Sequence, residues 1–87
     1  MTMKYWYTTC INCNGQGRLF ITKDVTANRL YLNCEECEWG WRDPEQVDNP
    51  EAKFLTLNES FEAEDATSEE IDRHGWGMYA LHQFESD

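Results

Sequence analysis

The chain has 87 residues with 17 acidic and 7 basic side chains, which gives a formal net charge of −10. A chain of this length predicts one small domain, residues 1–87. Such a domain buries little apolar surface and often needs disulfides or a bound metal for stability. It contains no apolar run long enough for a membrane span and no signal-peptide pattern at its start, so we expect a cytoplasmic protein without a membrane partner.

Several stretches of the first half predict β-strands. KYWYTT, residues 4–9, is dense in aromatic and β-branched residues, which suit a strand. RLFITKDV and NRLYLN alternate apolar and polar residues and predict a β-hairpin. Its turn covers residues 24–28, where Asn28 is the best candidate for a positive φ. EWGWRD predicts a further short strand that Pro44 ends.

Two C-x-x-C pairs lie on either side of this hairpin, Cys10 with Cys13 and Cys34 with Cys37. The spacing is typical of a zinc site, because two intervening residues let each pair form a tight turn with both sulfurs facing one ion. Asn14, directly after the first pair, can adopt the left-handed conformation that such a turn requires. Four thiolates form a closed tetrahedral shell, so the predicted zinc is structural and not catalytic.

Two other uses of the cysteines are open. Disulfides require an oxidising compartment, and a reducing cytosol favours metal ligands instead. Iron also suits a tetrahedral site of four sulfurs, and the acidity and aromatic content of the chain resemble rubredoxin, an iron electron carrier. Rubredoxin has glycine directly after each second cysteine, whereas this chain has Asn14 and Glu38 there. We therefore predict zinc, with iron as the alternative.

Residues 4–44 resemble the zinc-ribbon family in their two cysteine pairs and the hairpin between them. The resemblance implies a small β-rich fold of antiparallel hairpins with one structural zinc. It implies no particular function, because zinc ribbons bind nucleic acid, dock proteins or only stabilise a fold.

The second half predicts a connector followed by a helical segment. Residues 45–66 are acidic, and FLTLNESF within them alternates in a way that can form a strand. Residues 67–84 are predicted to be helical. Thr67 and Glu70 match a capping box, and acidic side chains crowd the first turn, where the helix dipole favours them.

The same helical segment contains an apolar series and a predicted break. Ile71, Met78 and Leu81 recur near helical spacing, which predicts that they pack in the core. Gly75 and Gly77 lie on either side of Trp76, which predicts that the helix bends or breaks there into two short helical pieces.

The net charge lies entirely in the second half. Residues 1–44 carry five basic and five acidic side chains, whereas residues 45–87 carry twelve acidic groups against Lys53 and Arg73. Such an acidic field repels nucleic acid and attracts basic surfaces. The simpler explanation is that the charge only keeps a small protein soluble.

The segment EEIDRHGWGMYALHQF resembles the C-terminal region of small immunity proteins of contact-dependent inhibition and related polymorphic toxin systems. The resemblance implies a protein that binds and neutralises one cognate toxin, often a nuclease with a basic active-site face. The charge pattern, independently, predicts that the acidic half faces a basic protein partner. The candidate partner-binding residues are Glu62, Glu64, Asp65, Glu69, Glu70, Asp72 and Trp76.

No catalytic motif is present in the sequence, so we expect no enzymatic activity. The aromatic side chains of the first half can stack on bases, fill the core around the cysteine pairs or form a protein interface. A zinc-ribbon module that binds nucleic acid or associates with transcription is therefore the alternative function. A rubredoxin-like iron electron carrier is the third.

Overall fold

The computed structural model describes residues 2–56 and 62–86, and the hairpin predicted between the cysteine pairs forms the centre of its sheet. Within the described residues there are seven antiparallel strands and one α-helix, α1. The strands are β1 (Thr2–Thr9), β2 (Arg18–Asp24), β3 (Arg29–Cys34), β4 (Trp39–Trp41), β5 (Lys53–Leu55), β6 (Ala63–Asp65) and β7 (His82–Ser86). Their order is β5-β4-β3-β2-β1-β7, and β6 pairs with β2.

The turn of the central hairpin confirms the prediction for Asn28. β2 and β3 pair from Leu19 with Cys34 to Asp24 with Arg29. Asn28 has a φ of 54°, in the left-handed region that asparagine tolerates better than most residues. The buried Asp24 carboxylate accepts a 3.0 Å hydrogen bond from the Ala27 amide, which closes the turn.

The sheet buries one of its faces. Leu19, Ile21, Leu32 and Trp41 are at most 1% exposed, and Ile71 of α1 packs against them. Side chains alternate across a strand, so the residues between them lie on the opposite face. That face, which we call the aromatic face, carries Trp6, Phe20, Tyr31, Phe54 and Phe84.

The predicted helical segment 67–84 is confirmed only in part: it contains one short helix and a 3₁₀ turn, and its end belongs to a strand. α1 spans Ser68–Arg73, with the predicted capping box between Thr67 and Glu70. It ends at a Schellman motif, in which Gly75 has a φ of 75° and the amides of the two residues after the helix cap donate back to the last turn. A short 3₁₀ turn, Gly77–Tyr79, leads from there into β7.

The segment after the 3₁₀ turn is a strand because β1 offers it a partner edge. β7 pairs with β1 over five residues, from Thr2 with Ser86 to Trp6 with His82. The predicted core packing of Met78 and Leu81 is wrong, since these side chains are 70% and 62% exposed. Helical spacing does not orient side chains once the helix has ended.

The connector joins the same sheet. Asp43 and Asn49 cap two short 3₁₀ turns, and the Trp41 indole donates a 3.1 Å hydrogen bond to the Asn49 carbonyl, which anchors the connector to the core. β5 supplies the first part of the strand predicted in residues 54–61, and residues 57–61 lie outside the described residues. No helix in the described part of the chain has the length and apolarity needed to span a bilayer.

Candidate metal centre

The sheet brings the four cysteines into one cluster. All four Sγ atoms lie within 4.8 Å of one another, and the Cys10–Cys37 and Cys13–Cys34 pairs are each 3.6 Å apart. A regular tetrahedron of sulfurs about 2.3 Å from a zinc ion has edges of about 3.8 Å. A disulfide would bring two sulfurs to about 2.05 Å. The cluster therefore has the dimensions of a tetrahedral metal site.

The first cysteine pair forms its turn as predicted. A 3₁₀ turn, Ile11–Cys13, is followed by Asn14 with a φ of 56°. The turn then closes through a 2.8 Å hydrogen bond from the Gly15 amide to the Cys10 carbonyl. The Gly17 amide points back at Cys13 Sγ, 3.3 Å away. An N–H donor at this distance stabilises a negatively charged sulfur.

The second cysteine pair forms the same kind of turn, with a left-handed residue directly after its second cysteine. The sequence pattern does not predict this conformation, because the residue is a glutamate. Glu38, directly after Cys37, has a φ of 62° and takes the left-handed position that Asn14 occupies in the first turn. The amides of Glu36 and Cys37 approach Cys34 Sγ at 3.4 and 3.5 Å. Both cysteine pairs therefore surround the sulfurs with backbone donors.

Gly17 shows how closely the backbone approaches the sulfurs. A Cβ at this position would lie 2.3 Å from Cys34 Sγ and 3.2 Å from Cys13 Sγ. Any side chain would therefore occupy space that the sulfurs fill, and only glycine fits between the two turns.

Burial and local hydrogen bonds shift the pKa values of three of the thiols. Burial raises the pKa of both the Cys10 and the Cys34 thiols. Burial acts in the same direction on Cys37, but hydrogen bonds, first from the Trp39 backbone and then from neighbouring side chains, bring its pKa below the ordinary value. Several thiolates this close and this buried repel one another, and a bound dication removes that cost. These four cysteines can hold a metal ion.

The acidic candidates for partner binding lie in two places. Glu64 and Asp65 belong to β6, with Glu62 just before it, whereas Glu69 and Asp72 are exposed on α1. The Asp65 carboxylate lies 3.9 Å from Lys4 Nζ, and each of these side chains is about one third exposed. Trp76 is half-buried and packs edge-to-face on Tyr79, with ring centroids 5.9 Å apart.

Glu70 differs from the other acidic candidates because it faces inward. It is 8% exposed, forms an ion pair with Lys23 of β2, and accepts hydrogen bonds from the Thr67 amide and hydroxyl at 3.0 and 3.2 Å. The Lys23 ammonium, followed by the Thr67 amide, lowers the pKa of Glu70 from 4.5 to about 2. Glu70 therefore fixes α1 to the sheet and offers little charge to a partner.

Most basic side chains are engaged within the molecule. Four ion pairs join basic and acidic residues in the part of the chain that the structure describes: Lys4–Asp65, Arg18–Glu35, Lys23–Glu70 and Arg29–Asp24. Two more cations lie over rings, with Arg42 Cζ 4.2 Å from the centroid of Phe54 and Lys53 Nζ 4.9 Å from that of Trp39. The surface charge that remains is therefore mainly acidic.

A cation–aromatic cluster on the aromatic face is a feature that sequence reasoning missed. Arg18 donates two hydrogen bonds to the Glu35 carboxylate, at 2.6 and 2.9 Å, which lowers the pKa of Glu35. Its guanidinium carbon lies 4.6 Å from the centroid of Phe84 and 5.1 Å from that of Phe20. The alternation of Arg18 and Phe20 in β2 was the only sequence signal, because Phe84 arrives through the unexpected strand β7.

No protein-family model matches the sequence, and comparisons with curated proteins and with solved structures give no significant match. The chemistry of the chain is therefore inferred from its own features, which are the sulfur geometry, the donor set and the surface charge. They describe a small antiparallel sheet with a cysteine cluster that can hold a metal ion.

Proposed function

We propose that this chain is a cytoplasmic binding protein in which four cysteines hold one structural zinc ion. Thiolates are the ligands of most closed structural zinc sites, and the sulfur separations of 3.6 Å fit zinc–sulfur distances of about 2.3 Å. Zinc there contributes to folding and takes no part in a reaction, because four protein ligands complete its shell. A reducing compartment such as the cytosol keeps the thiols available for the metal.

The proposed partner is a protein with a basic surface. The observation that carries this proposal is the pairing of Lys4, Arg18, Lys23 and Arg29 with carboxylates of the same chain. With a net charge of −10, such internal pairing leaves the surplus of carboxylates at the surface. An acidic surface of this kind accelerates encounter with a basic protein and repels a phosphate backbone.

The specific form that we propose is an immunity protein that neutralises a cognate toxin. A toxin that cleaves nucleic acid must itself present a basic substrate site, and an acidic protein can cover that site. Five exposed or half-exposed residues are proposed for the contact: Glu62, Glu64, Asp65, Glu69 and Asp72. Trp76 lies two residues beyond the cap of α1 and can supply an apolar anchor to the same contact.

The test is identification of the partner by crosslinking in the native cell, followed by reconstitution from two purified proteins. We expect a basic partner, an association rate that falls as salt is raised, and loss of the partner's toxic activity in the complex. An acidic protein or a nucleic acid as the physiological partner would refute the proposal.

A nucleic-acid-binding ribbon is the second candidate, favoured by the cation–aromatic cluster of Arg18, Phe20 and Phe84. Exposed rings beside a guanidinium can stack bases. The cluster is less suited to phosphate, however, because Glu35 neutralises Arg18 and Asp65 neutralises Lys4. Iron in place of zinc, with electron transfer as the function, is distinguished by elemental analysis and by the colour of an iron–thiolate centre.

A further inference from the structure

A groove of about 430 Å³ lies on the aromatic face, at the point where two strands share one edge of β2. β1 pairs with β2 between Trp6 and Thr9, and β6 pairs with the continuation of β2 at Thr22 to Asp24. The groove lies where β1 and β6 pair with successive parts of β2. Its lining residues include Lys4, Phe20, Asn33, Glu64, Asp65 and Phe84. Its volume lies within the range of ligand sites, about 300–1,000 Å³.

The lining combines aromatic rings with hydrogen-bond acceptors. Phe20 and Phe84 meet edge-to-face, with centroids 6.4 Å apart. Asp65 pairs with Thr22 and is half-exposed on this face, whereas the side chain of Glu64, which pairs with Lys23, lies on the other face of the sheet. Asn33 Oδ1 is buried, and no hydrogen-bond donor reaches it among the residues that the structure describes. Ring faces and anionic or amide oxygens together are suited to a cation that carries several N–H donors.

The chain already places its own cations on these groups. Lys4 Nζ lies 3.9 Å from the Asp65 carboxylate and 5.8 Å from the centroid of Phe20. Arg18 stacks on Phe20 and Phe84 from beside the groove, held by Glu35. Because the Lys4–Asp65 pair is about one third exposed, it contributes little stability, and a better-matched cation can displace it.

We propose that this groove is the docking site for an arginine side chain of the basic protein partner. The inference rests on the proposed function and adds a defined point of contact. Arginine matches the groove better than lysine does, because its planar guanidinium stacks on rings and presents five donors to separate acceptors. In the complex the guanidinium takes the place of the Lys4 ammonium, contacts the Asp65 carboxylate and lies beside the rings of Phe20 and Phe84.

The probe is a short peptide, acetyl-Gly-Arg-Gly-amide, titrated into the zinc-loaded full chain and followed by ¹H–¹⁵N NMR. Its matched control has citrulline in place of arginine, which keeps the shape and removes the charge. We expect saturable shifts at Phe20, Asn33 and Phe84, including the side-chain amide of Asn33. The citrulline peptide should bind at least about fivefold more weakly, as expected for the loss of a charge-assisted contact.

Paired variants separate groove binding from general attraction to an acidic protein. Asp65→Asn should weaken the arginine peptide about threefold or more, whereas Glu64→Gln, which removes the same charge on the other face of β6, should not. Lys4→Gln should strengthen binding, because it removes the resident cation. Arg73→Gln makes the same change of net charge on exposed α1 and should leave the affinity nearly unchanged.

Equal binding of the arginine and citrulline peptides would overturn the proposal, as would equal effects of Asp65→Asn and Glu64→Gln. Failure of the peptide in the groove, combined with salt-sensitive binding of a basic protein, refutes the docking site and leaves the proposed function in place. Saturable peptide binding in a chain whose physiological partner is a nucleic acid refutes the proposed function instead.

Discussion

Replacement of Gly17 by alanine should disrupt the metal centre while changing none of its ligands. The new Cβ would lie 2.3 Å from Cys34 Sγ and 3.2 Å from Cys13 Sγ and Glu36 Cβ. Nonbonded heavy atoms rest about 3.5–4.0 Å apart, so Cys34 Sγ would have to retreat by about 1.2 Å or more. Metal–ligand distances vary by only about 0.2 Å in intact sites. The substitution therefore forces either loss of a ligand or a shift of the backbone.

The size of the effect follows from the cost of overpacking. Forcing an extra carbon into a packed site costs about 1–3 kcal/mol, and this site has backbone and metal-bound sulfur on every side. At about 1.4 kcal/mol for each factor of ten, the upper end corresponds to a zinc affinity about 100-fold lower. Because metal binding and folding are coupled, the thermal unfolding temperature should fall as well.

Titration with cobalt(II), followed by competition with zinc, measures this affinity, because tetrahedral cobalt–thiolate absorption reports the coordination shell directly. Gly77→Ala is the control, since a Cβ there meets the Asp72 carboxylate at an ordinary 3.5 Å. If Gly17→Ala binds zinc within about threefold of the unaltered chain, a difference of less than about 0.7 kcal/mol, the cluster is not a metal site of this geometry.

Freshly purified protein should contain one zinc ion per chain, and Cys34→Ser should unfold much of the sheet, which elemental analysis and circular dichroism will show. Glu70→Gln should cost about 2–3 kcal/mol at neutral pH, since a pKa lowered from 4.5 to about 2 stabilises the fold above about pH 4.5. This contribution is lost as the pH falls from about 4.5 towards 2. Urea denaturation curves of Glu70→Gln and of the unaltered chain should therefore converge in acid. The control, exposed Glu69→Gln, should match the unaltered chain throughout. A random oligonucleotide should not bind at about 0.15 M salt, and micromolar binding that weakens steeply with added salt would favour the nucleic-acid alternative.

The features that could be predicted from the sequence are encoded within a few neighbouring residues. The spacing of Cys10 and Cys13 dictates a tight turn, and Asn14 has the conformational range for it. The capping box of Thr67 and Glu70 spans a single helical turn. In each case the interaction that forms the structure lies inside the pattern that predicts it.

The features that could not be predicted depend on distant partners. β7 exists because β1 offers an edge to it, and nothing within residues 82–86 specifies that edge. Glu70 was a candidate partner-binding residue because it lies in an acidic helix start. Its ion-pair partner, Lys23, lies 47 residues earlier in the chain. The cation–aromatic cluster depends on β7 in the same way, because Phe84 completes it.

Because the chain is small, the stability that a metal centre contributes affects how much of the aromatic face must be buried. One face of the sheet contributes the buried core, in which few large side chains, Leu19, Ile21, Leu32 and Trp41 among them, are fully enclosed. A core this small is marginal for a domain of 87 residues. A structural zinc ion contributes on the order of 10 kcal/mol to small metal-dependent folds. If the cysteine cluster holds its metal in this way, the second face need not be fully buried for stability: Tyr31 is enclosed there, whereas Phe84 is 39% exposed and remains available to contact a partner.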